Sequence, residues 1–241
     1  GVCFSDVGNT VYCVDKDQKK IDLLNKGIVP IFEPGLEEIL KKNFKQKRLI
    51  FTSDLNKAVT NSDIIFICVG TPSKKNTNSA NLKHVYSVVN DLKKIIKKYK
   101  IIITKSTVPV STGDEIEKVL INLKKKKLVD IVSNPEFLRE GEAIRDFVYP
   151  DRIIIGTDSK KANKILKSLY LPIIKKTNRY FNTSRRGAEL IKYASNAFLA
   201  TKISFINELA NLCEQANVDI KDISLGMGSD ERIGSRFLRA G

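Results

Sequence analysis

The stretch Asp63–Val69, DIIFICV, decides the fold class of this 241-residue chain. An almost unbroken apolar run of this length is typical of a parallel β-strand, because helices cover both faces of a parallel sheet. The run ends at Gly70-Thr71-Pro72, which starts a polar loop. Two further apolar runs, Lys100–Thr104 and Leu128–Ser133, end in polar motifs in the same way.

Helical patterns alternate with these strands over short links, which predicts an α/β fold with a Rossmann-like, doubly wound parallel sheet. The predicted strands are 10–14, 48–52, 63–69, 100–104, 128–133 and 151–156, and the predicted helices are 17–25, 36–42, 54–61, 82–98, 113–123, 159–169, 184–217 and 219–227. The opening residues, GVCFSDVG, predict the end of a helix that stops at Gly8.

Polar motifs lie at the carboxyl ends of four predicted strands: Asp15, Gly70-Thr71, Ser106-Thr107 and Asn134-Pro135-Glu136. Ligands of open α/β sheets bind beyond these strand ends, so we expect a cleft there. An acidic residue after the second strand of a dinucleotide-binding fold contacts the ribose hydroxyls. On this pattern alone, Asp15 has either that role or the role of an ordinary turn aspartate.

The longest helical pattern is Ser184–Asn217, with Ser184 as a plausible N-cap. At 1.5 Å per residue it extends roughly 50 Å, which is typical of a helix that links domains or forms a subunit interface. Lys192 and Asn196 are i,i+4 neighbours on one face and together could stabilise an oxyanion. The alternative is a solvated surface lysine beside a polar packing residue.

The composition favours a globular protein, with 42% hydrophobic and 29% charged residues. The formal net charge is +15, from lysine runs without interleaved aromatic residues, so we expect a solvated basic surface and no nucleic-acid partner. A basic nucleic-acid-binding module is the non-enzyme alternative. No segment has the length and apolarity of a membrane span, so no membrane partner is expected.

The spacing of the four cysteines is not that of a metal site, and we expect them to be buried thiols in a reducing cytoplasm. The single His84 has no clustered partners, so no metal site is expected around it.

Seven stretches carry a family resemblance. They are VYCVDKDQKKIDLLNKG (11–27), PIFEPGLEEIL (30–40), FICVGTPS (66–73), TKSTVPVSTGD (104–114), SNPEFLREGEAIRDFVYPDRIIIG (133–156), ELIKYASNAFLATKISFINELANL (189–212) and GSDERIGSRFLRAG (228–241). In this order they resemble the UDP-glucose/GDP-mannose dehydrogenase family, whose members oxidise a nucleotide sugar twice. The resemblance implies an NAD-binding domain over 1–183, followed at 184–241 by the start of an all-α dimerisation domain.

The resemblance also implies roles for individual residues. The implied NAD contacts are Asp15, Lys20, Val69, Gly70, Thr71, Ser106, Thr107 and Glu140. The implied substrate contacts are Glu136, Phe137, Leu138, Arg139, Lys192, Asn196 and Arg232, of which Arg232 would reach the substrate of a neighbouring subunit. The implied catalytic residues are Thr107, Glu136, Lys192 and Asn196.

The implied reaction is the NAD-dependent four-electron oxidation of UDP-glucose to UDP-glucuronate. A cysteine captures the intermediate aldehyde as a thiohemiacetal, which gives a second hydride to NAD and becomes a thioester. Glu136 then activates the water that hydrolyses this thioester. The alternatives within the family are GDP-mannose and UDP-N-acetylmannosamine dehydrogenases. A more distant alternative is a single-step β-hydroxyacid dehydrogenase, which should lack NPEFLREG.

Two parts of the family pattern have no counterpart in these residues. The Gly-rich phosphate loop would precede Gly1, and the catalytic cysteine would follow Gly241. We therefore expect a piece of a longer cytoplasmic enzyme that is inactive by itself, with a homodimer formed through helix 184–217.

Overall fold

The computed structural model describes residues 1–75, 77 and 79–240. The strands are β1 (Val11–Val14), β2 (Leu49–Thr52), β3 (Ile64–Ile67), β4 (Lys100–Thr104), β5 (Val129–Ser133), β6 (Ile153–Gly156) and β7 (Tyr180–Thr183). The helices are α1 (Val2–Asp6), α2 (Gln18–Asn25), α3 (Leu36–Lys45), α4 (Leu55–Thr60), α5 (Lys83–Ile95), α6 (Thr112–Val119), α7 (Ile121–Lys125), α8 (Ala143–Val148), α9 (Lys160–Leu169), α10 (Leu171–Thr177), α11 (Arg185–Ala216) and α12 (Ile220–Gly228).

The strands form a parallel pair, β1-β2, and a five-stranded sheet in the order β3-β4-β5-β6-β7. Neighbouring strands are parallel except β5 and β6, which form an antiparallel pair at Ser133 and Gly156. The predicted α/β class with a parallel sheet is confirmed, and the antiparallel pair of β5 and β6 is an exception that the sequence did not indicate. An antiparallel pair needs no crossover helix, and only the six-residue α8 lies between these strands.

The side chains of β4 show that both faces of the sheet are covered. Ile102 packs into a core with α5 and α6, whereas Ile101 and Ile103 pack into a second core with α1 and α9. Burying each of these side chains contributes about 1.5–3 kcal/mol. Strand β3 lies at the end of this sheet, so Ile64 and its next two residues are only half-buried.

Several sequence predictions need correction. The helix predicted at 113–123 is divided into α6 and α7, which meet at Leu120. Helices α8 and α10 and strand β7 were not predicted, because their patterns are too short or interrupted by polar residues. All four cysteines were expected to be buried, but only Cys213 is, whereas Cys3 and Cys13 are half-buried and Cys68 is exposed. Cys68 follows the last residue of β3, where the backbone leaves the sheet.

The chain divides into two compact units, Gly1–Leu190 and Ile191–Gly241. The long helix predicted at 184–217 is confirmed as α11, and Ser184 Oγ accepts the Gly187 N–H as its N-cap. In the second unit, Asp219 caps α12 by accepting the Lys221 N–H at 2.8 Å. No helix in the described part of the chain is long and apolar enough to cross a bilayer.

Candidate active site

Asp15 directly follows β1 and is fixed by residues close to it in sequence. Its Oδ2 accepts a hydrogen bond from Lys20 Nζ at 2.6 Å, and its Oδ1 accepts the Asp17 N–H at 3.1 Å. The Lys20 ammonium and the Asp17 amide hold the pKa of Asp15 below its ordinary value. A carboxylate has about four acceptor positions, so Asp15 keeps capacity for ligand hydroxyls.

The loops after β3 and β4 are tied to each other. Thr71 Oγ1 donates to the Thr107 carbonyl at 2.8 Å, and Ser106 Oγ donates to the Val69 carbonyl at 2.7 Å. The structure therefore brings together the residues predicted at these two strand ends, including the intervening Gly70. The two hydroxyl groups bind backbone carbonyls, which fixes the shape of both loops.

The segment after β5 starts from a buried anchor. Asn134 Nδ2 donates to the Ile154 carbonyl at 2.9 Å, and its Oδ1 accepts the Tyr170 hydroxyl at 2.6 Å. Burial raises the pKa of the Tyr170 hydroxyl, so it remains a proton donor to this amide. Strands β4 and β5 are neighbours, with Thr104 opposite Ser133, so their loops leave the same edge of the sheet.

The next residues, 136–142, form a loop that we call the NPEF loop, after the motif Asn134-Pro135-Glu136-Phe137 that leads into it. Glu136 Oε2 accepts the Leu138 N–H at 2.8 Å, and the Phe137 ring lies 4.0 Å from the Arg152 guanidinium carbon. Arg139 forms a bidentate pair with Asp146 of α8, at 2.7 and 3.0 Å. Glu140 is exposed.

The three remaining predicted residues belong to the second unit. Lys192 is only 7% exposed, so its interpretation as a solvated surface lysine is wrong, whereas Asn196 on the same helix is exposed. Arg232 donates to both oxygens of Asp230, at 2.6 and 3.0 Å, and its side chain is 89% exposed.

Sequence reasoning missed Glu189 of α11. It is 3% exposed and accepts hydrogen bonds from Ser111 N at 2.7 Å, Gly113 N at 2.8 Å and Ser133 Oγ at 2.9 Å. Burial raises the pKa of Glu189, although the three hydrogen bonds donated to its carboxylate act to lower it. Glu189 thus joins the end of β5 to the start of α6, where Ser111 has a left-handed φ of 80°. The sequence offered only one signal for this role: Glu189 is a carboxylate in the first turns of a helix that is otherwise apolar on one side.

Glu33 was also missed, although it lies in PIFEPGLEEIL (30–40), one of the stretches that carry the family resemblance. Its Oε2 accepts the Gly141 N–H at 3.1 Å and its Oε1 accepts the Ile144 N–H at 3.2 Å. Among the described residues, no cluster of three or more His, Cys, Asp or Glu side chains could hold a metal ion.

Comparison with known proteins gives the same assignment for both units. Residues 1–174 match the family model for the UDP-glucose/GDP-mannose dehydrogenase family, NAD binding domain, and residues 186–241 match the central domain of the same family. The chain belongs to the UDP-glucose/GDP-mannose dehydrogenase family. The family thus suggested by the sequence motifs is confirmed, and with it the class of NAD-dependent nucleotide-sugar dehydrogenases.

The matches to relatives within this family extend over the whole length of the chain. It is 49% identical over 243 residues to the UDP-glucose 6-dehydrogenase of Rhizobium meliloti, covering 100% of this chain and 56% of that protein. It superposes on a UDP-glucose dehydrogenase of Pyrobaculum islandicum with a TM-score of 0.94 at 36% identity, covering 100% of this chain and 56% of that one. A GDP-mannose dehydrogenase of Pseudomonas aeruginosa gives a TM-score of 0.90 at 33% identity with the same coverage. The chain spans about half the length of the curated relatives that it matches.

Proposed function

We propose that this chain is the cofactor-binding part of an enzyme that oxidises UDP-glucose to UDP-glucuronate with two equivalents of NAD. The observation that carries this proposal is the match, over all its residues, to a protein named UDP-glucose 6-dehydrogenase at 49% identity. GDP-mannose dehydrogenase is the alternative within the family, favoured by a solved structure at 33% identity.

NAD fits the residues at the strand ends. Asp15 keeps free acceptor positions for ribose hydroxyls, and Lys20 orients its carboxylate. Val69, Gly70 and Thr71 would line the cofactor cleft, with Ser106 and Thr107 nearer the nicotinamide, together with Glu140. When bound, NAD accepts the hydride that leaves C6 of the sugar in each oxidation.

The remaining residues would hold the sugar and move protons. The backbone of Phe137, Leu138 and Arg139 would position the sugar, and Lys192 and Asn196 would stabilise the oxyanion that develops on the C6 oxygen. In the second half of the reaction, Glu136, with Thr107, would take a proton from the water that hydrolyses the thioester.

We also propose a homodimer formed through α11. The exposed apolar side chains of the second unit support it: Tyr193, Phe198, Ile203, Phe205, Leu212, Val218 and Leu225. Arg232 would then contact the substrate of the neighbouring subunit. The domain boundary after residue 183 stays a prediction, next to the family matches at 1–174 and 186–241.

The test is a substrate panel with the full gene product. UDP-glucose, GDP-mannose and UDP-N-acetylmannosamine are each offered with NAD, and NADH is followed by its absorbance. We expect the highest kcat/KM with UDP-glucose. A higher value with GDP-mannose would give the alternative, and no NADH from any of the three would contradict the proposal.

A further inference from the structure

The Glu33 carboxylate bridges two backbone amides that lie far from it in sequence. Its two oxygens accept the N–H groups of Gly141 and Ile144, which are 108 and 111 residues further along the chain. Glu33 itself is half-buried in the turn between α2 and α3. One side chain therefore connects this turn to the junction between the NPEF loop and α8.

These two amides have few local partners. Helix α8 begins after Glu142, whose side chain makes no capping hydrogen bond. The first N–H groups of any helix lack intrahelical acceptors, and Ile144 is one of these donors. Gly141 has a φ of +81°, a left-handed conformation that glycine adopts without steric cost. Glu33 thus supplies the acceptors that the NPEF loop itself lacks.

The backbone of the turn that presents Glu33 is conformationally restricted. Pro30 and Pro34 restrict its backbone, and Gly35 has a left-handed φ of +79° that starts α3. The Glu33 carbonyl also accepts the Leu36 N–H at 3.1 Å. A carboxylate on such a turn can fix the position of a loop, because little of its own conformational freedom remains to be lost.

The NPEF loop is fixed on its other side by its own residues. Arg139 holds Asp146 of α8, with the Arg139 N–H also donating to Asp146 at 2.8 Å, and Arg152 stacks on Phe137. These contacts join the loop to α8 and to the residues before β6. Glu33 adds the contact to a different part of the first unit.

We propose that Glu33 is a positioning residue, which holds the NPEF loop so that Glu136 and Glu140 are oriented for the reaction. This inference rests on the proposed function, because it assigns the loop its chemical role. Glu33 acts through Gly141 and Ile144 and contacts neither substrate nor cofactor itself.

The test compares Glu33→Ala with Asp54→Ala in the full gene product. Asp54 is a matched control, because it caps α4 by accepting the Lys57 N–H at 2.9 Å and has its partner within the same helix. For Glu33→Ala we expect kcat with UDP-glucose to fall about ten- to hundredfold, since a displacement of about 1 Å costs that much. Asp54→Ala should keep kcat within about twofold at a similar loss of Tm.

Hydrogen exchange gives a readout that does not need turnover. Peptides spanning 139–146 should exchange about fivefold faster or more in Glu33→Ala than in Asp54→Ala, because two amide hydrogen bonds are lost. Glu33→Gln keeps one oxygen acceptor and should give intermediate values of both kcat and exchange. It replaces the alanine variant if that variant does not fold.

Three results would overturn the inference in distinguishable ways. Unchanged exchange at 139–146 would mean that Glu33 does not hold the loop. Faster exchange with a kcat equal to that of Asp54→Ala would mean a structural role only. No NADH from any nucleotide sugar with the unsubstituted protein would instead remove the proposed function on which the inference rests.

Discussion

Asp15 and the NPEF loop both follow strands of the first unit, but the contacts that hold them differ in sequence separation. The partners of Asp15 are Asp17 and Lys20, two and five residues away. The NPEF loop has partners nearby in sequence, but Glu33, which accepts the Gly141 N–H, is more than a hundred residues away. Asp15 is a half-buried turn residue held by its sequence neighbours, whereas the NPEF loop also depends on a second part of the domain being folded correctly.

This difference separates two kinds of substitution. Changing a side chain that only neighbours hold should alter ligand binding and leave the rest of the domain intact. Changing a distant anchor should move several residues together. The expected effects therefore differ in kind as well as in size.

The largest effect should come from Glu136 of the NPEF loop. We expect Glu136→Gln to lower steady-state kcat about 10²–10⁴-fold in the full gene product, because an amide cannot take the proton of the hydrolytic water. Rapid-quench mass spectrometry should find a thioester intermediate on the enzyme. Glu142→Gln, in the same segment, is the control, and equal kcat values for the two variants would contradict the role of Glu136.

The largest loss of stability should come from replacing Glu189, whose hydrogen-bond partners lie far from it in sequence. Glu189→Ala leaves the Ser111 and Gly113 amides and the Ser133 hydroxyl without their acceptor in a buried site. We expect the free energy of unfolding in urea to fall by about 2–3 kcal/mol. Glu208→Ala, an exposed change on the same helix, should cost less than about 0.5 kcal/mol. A similar small loss for Glu189→Ala would show that these contacts contribute little.

A locally held residue should affect binding alone. We expect Asp15→Ala to raise the Kd for NAD about tenfold, as for the loss of one charged hydrogen bond. The free energy of unfolding should change by less than about 0.5 kcal/mol, since Asp15 and Lys20 are both solvent-accessible. Calorimetric titration measures the Kd, with Asp22→Ala as a control. An unchanged Kd would favour the interpretation of Asp15 as an ordinary turn aspartate.

The smallest effect concerns the pH dependence of the NPEF loop. Hydrogen bonding from Arg139 lowers the pKa of Asp146 below its ordinary value of 3.8. The folded state therefore binds this proton less readily than the unfolded state, so the stabilisation is complete above pH 3.8 and is lost as the pH falls through the lowered value. Urea unfolding from pH 5 downward should show a shallower acid loss for Asp146→Asn than for the unsubstituted chain. Parallel curves would contradict this pairing.

The sequence predicted those features that depend on neighbouring residues. Apolar runs located β3, β4 and β5, and the helical pattern located α11 almost to its ends. It also located Asp15 directly after a strand, because β1 and the helix that follows it are local patterns, and the role of Asp15 in binding stays a prediction.

Features that depend on distant pairing were missed. Strand β6 runs antiparallel to β5, with Ser133 opposite Gly156, and no local signal in the sequence encodes that direction. Glu33 and Glu189 resemble ordinary charged residues until the fold brings amide groups to them. The exposure of Cys68 likewise follows from where β3 ends and not from the apolar run around it.

The most direct test is the number of NADH molecules formed per UDP-glucose consumed by the full gene product at complete conversion. The account predicts two, because a second hydride transfer must form the thioester that Glu136 of the NPEF loop is proposed to hydrolyse. A value of one would describe a single-step dehydrogenase and would contradict the role given to Glu136.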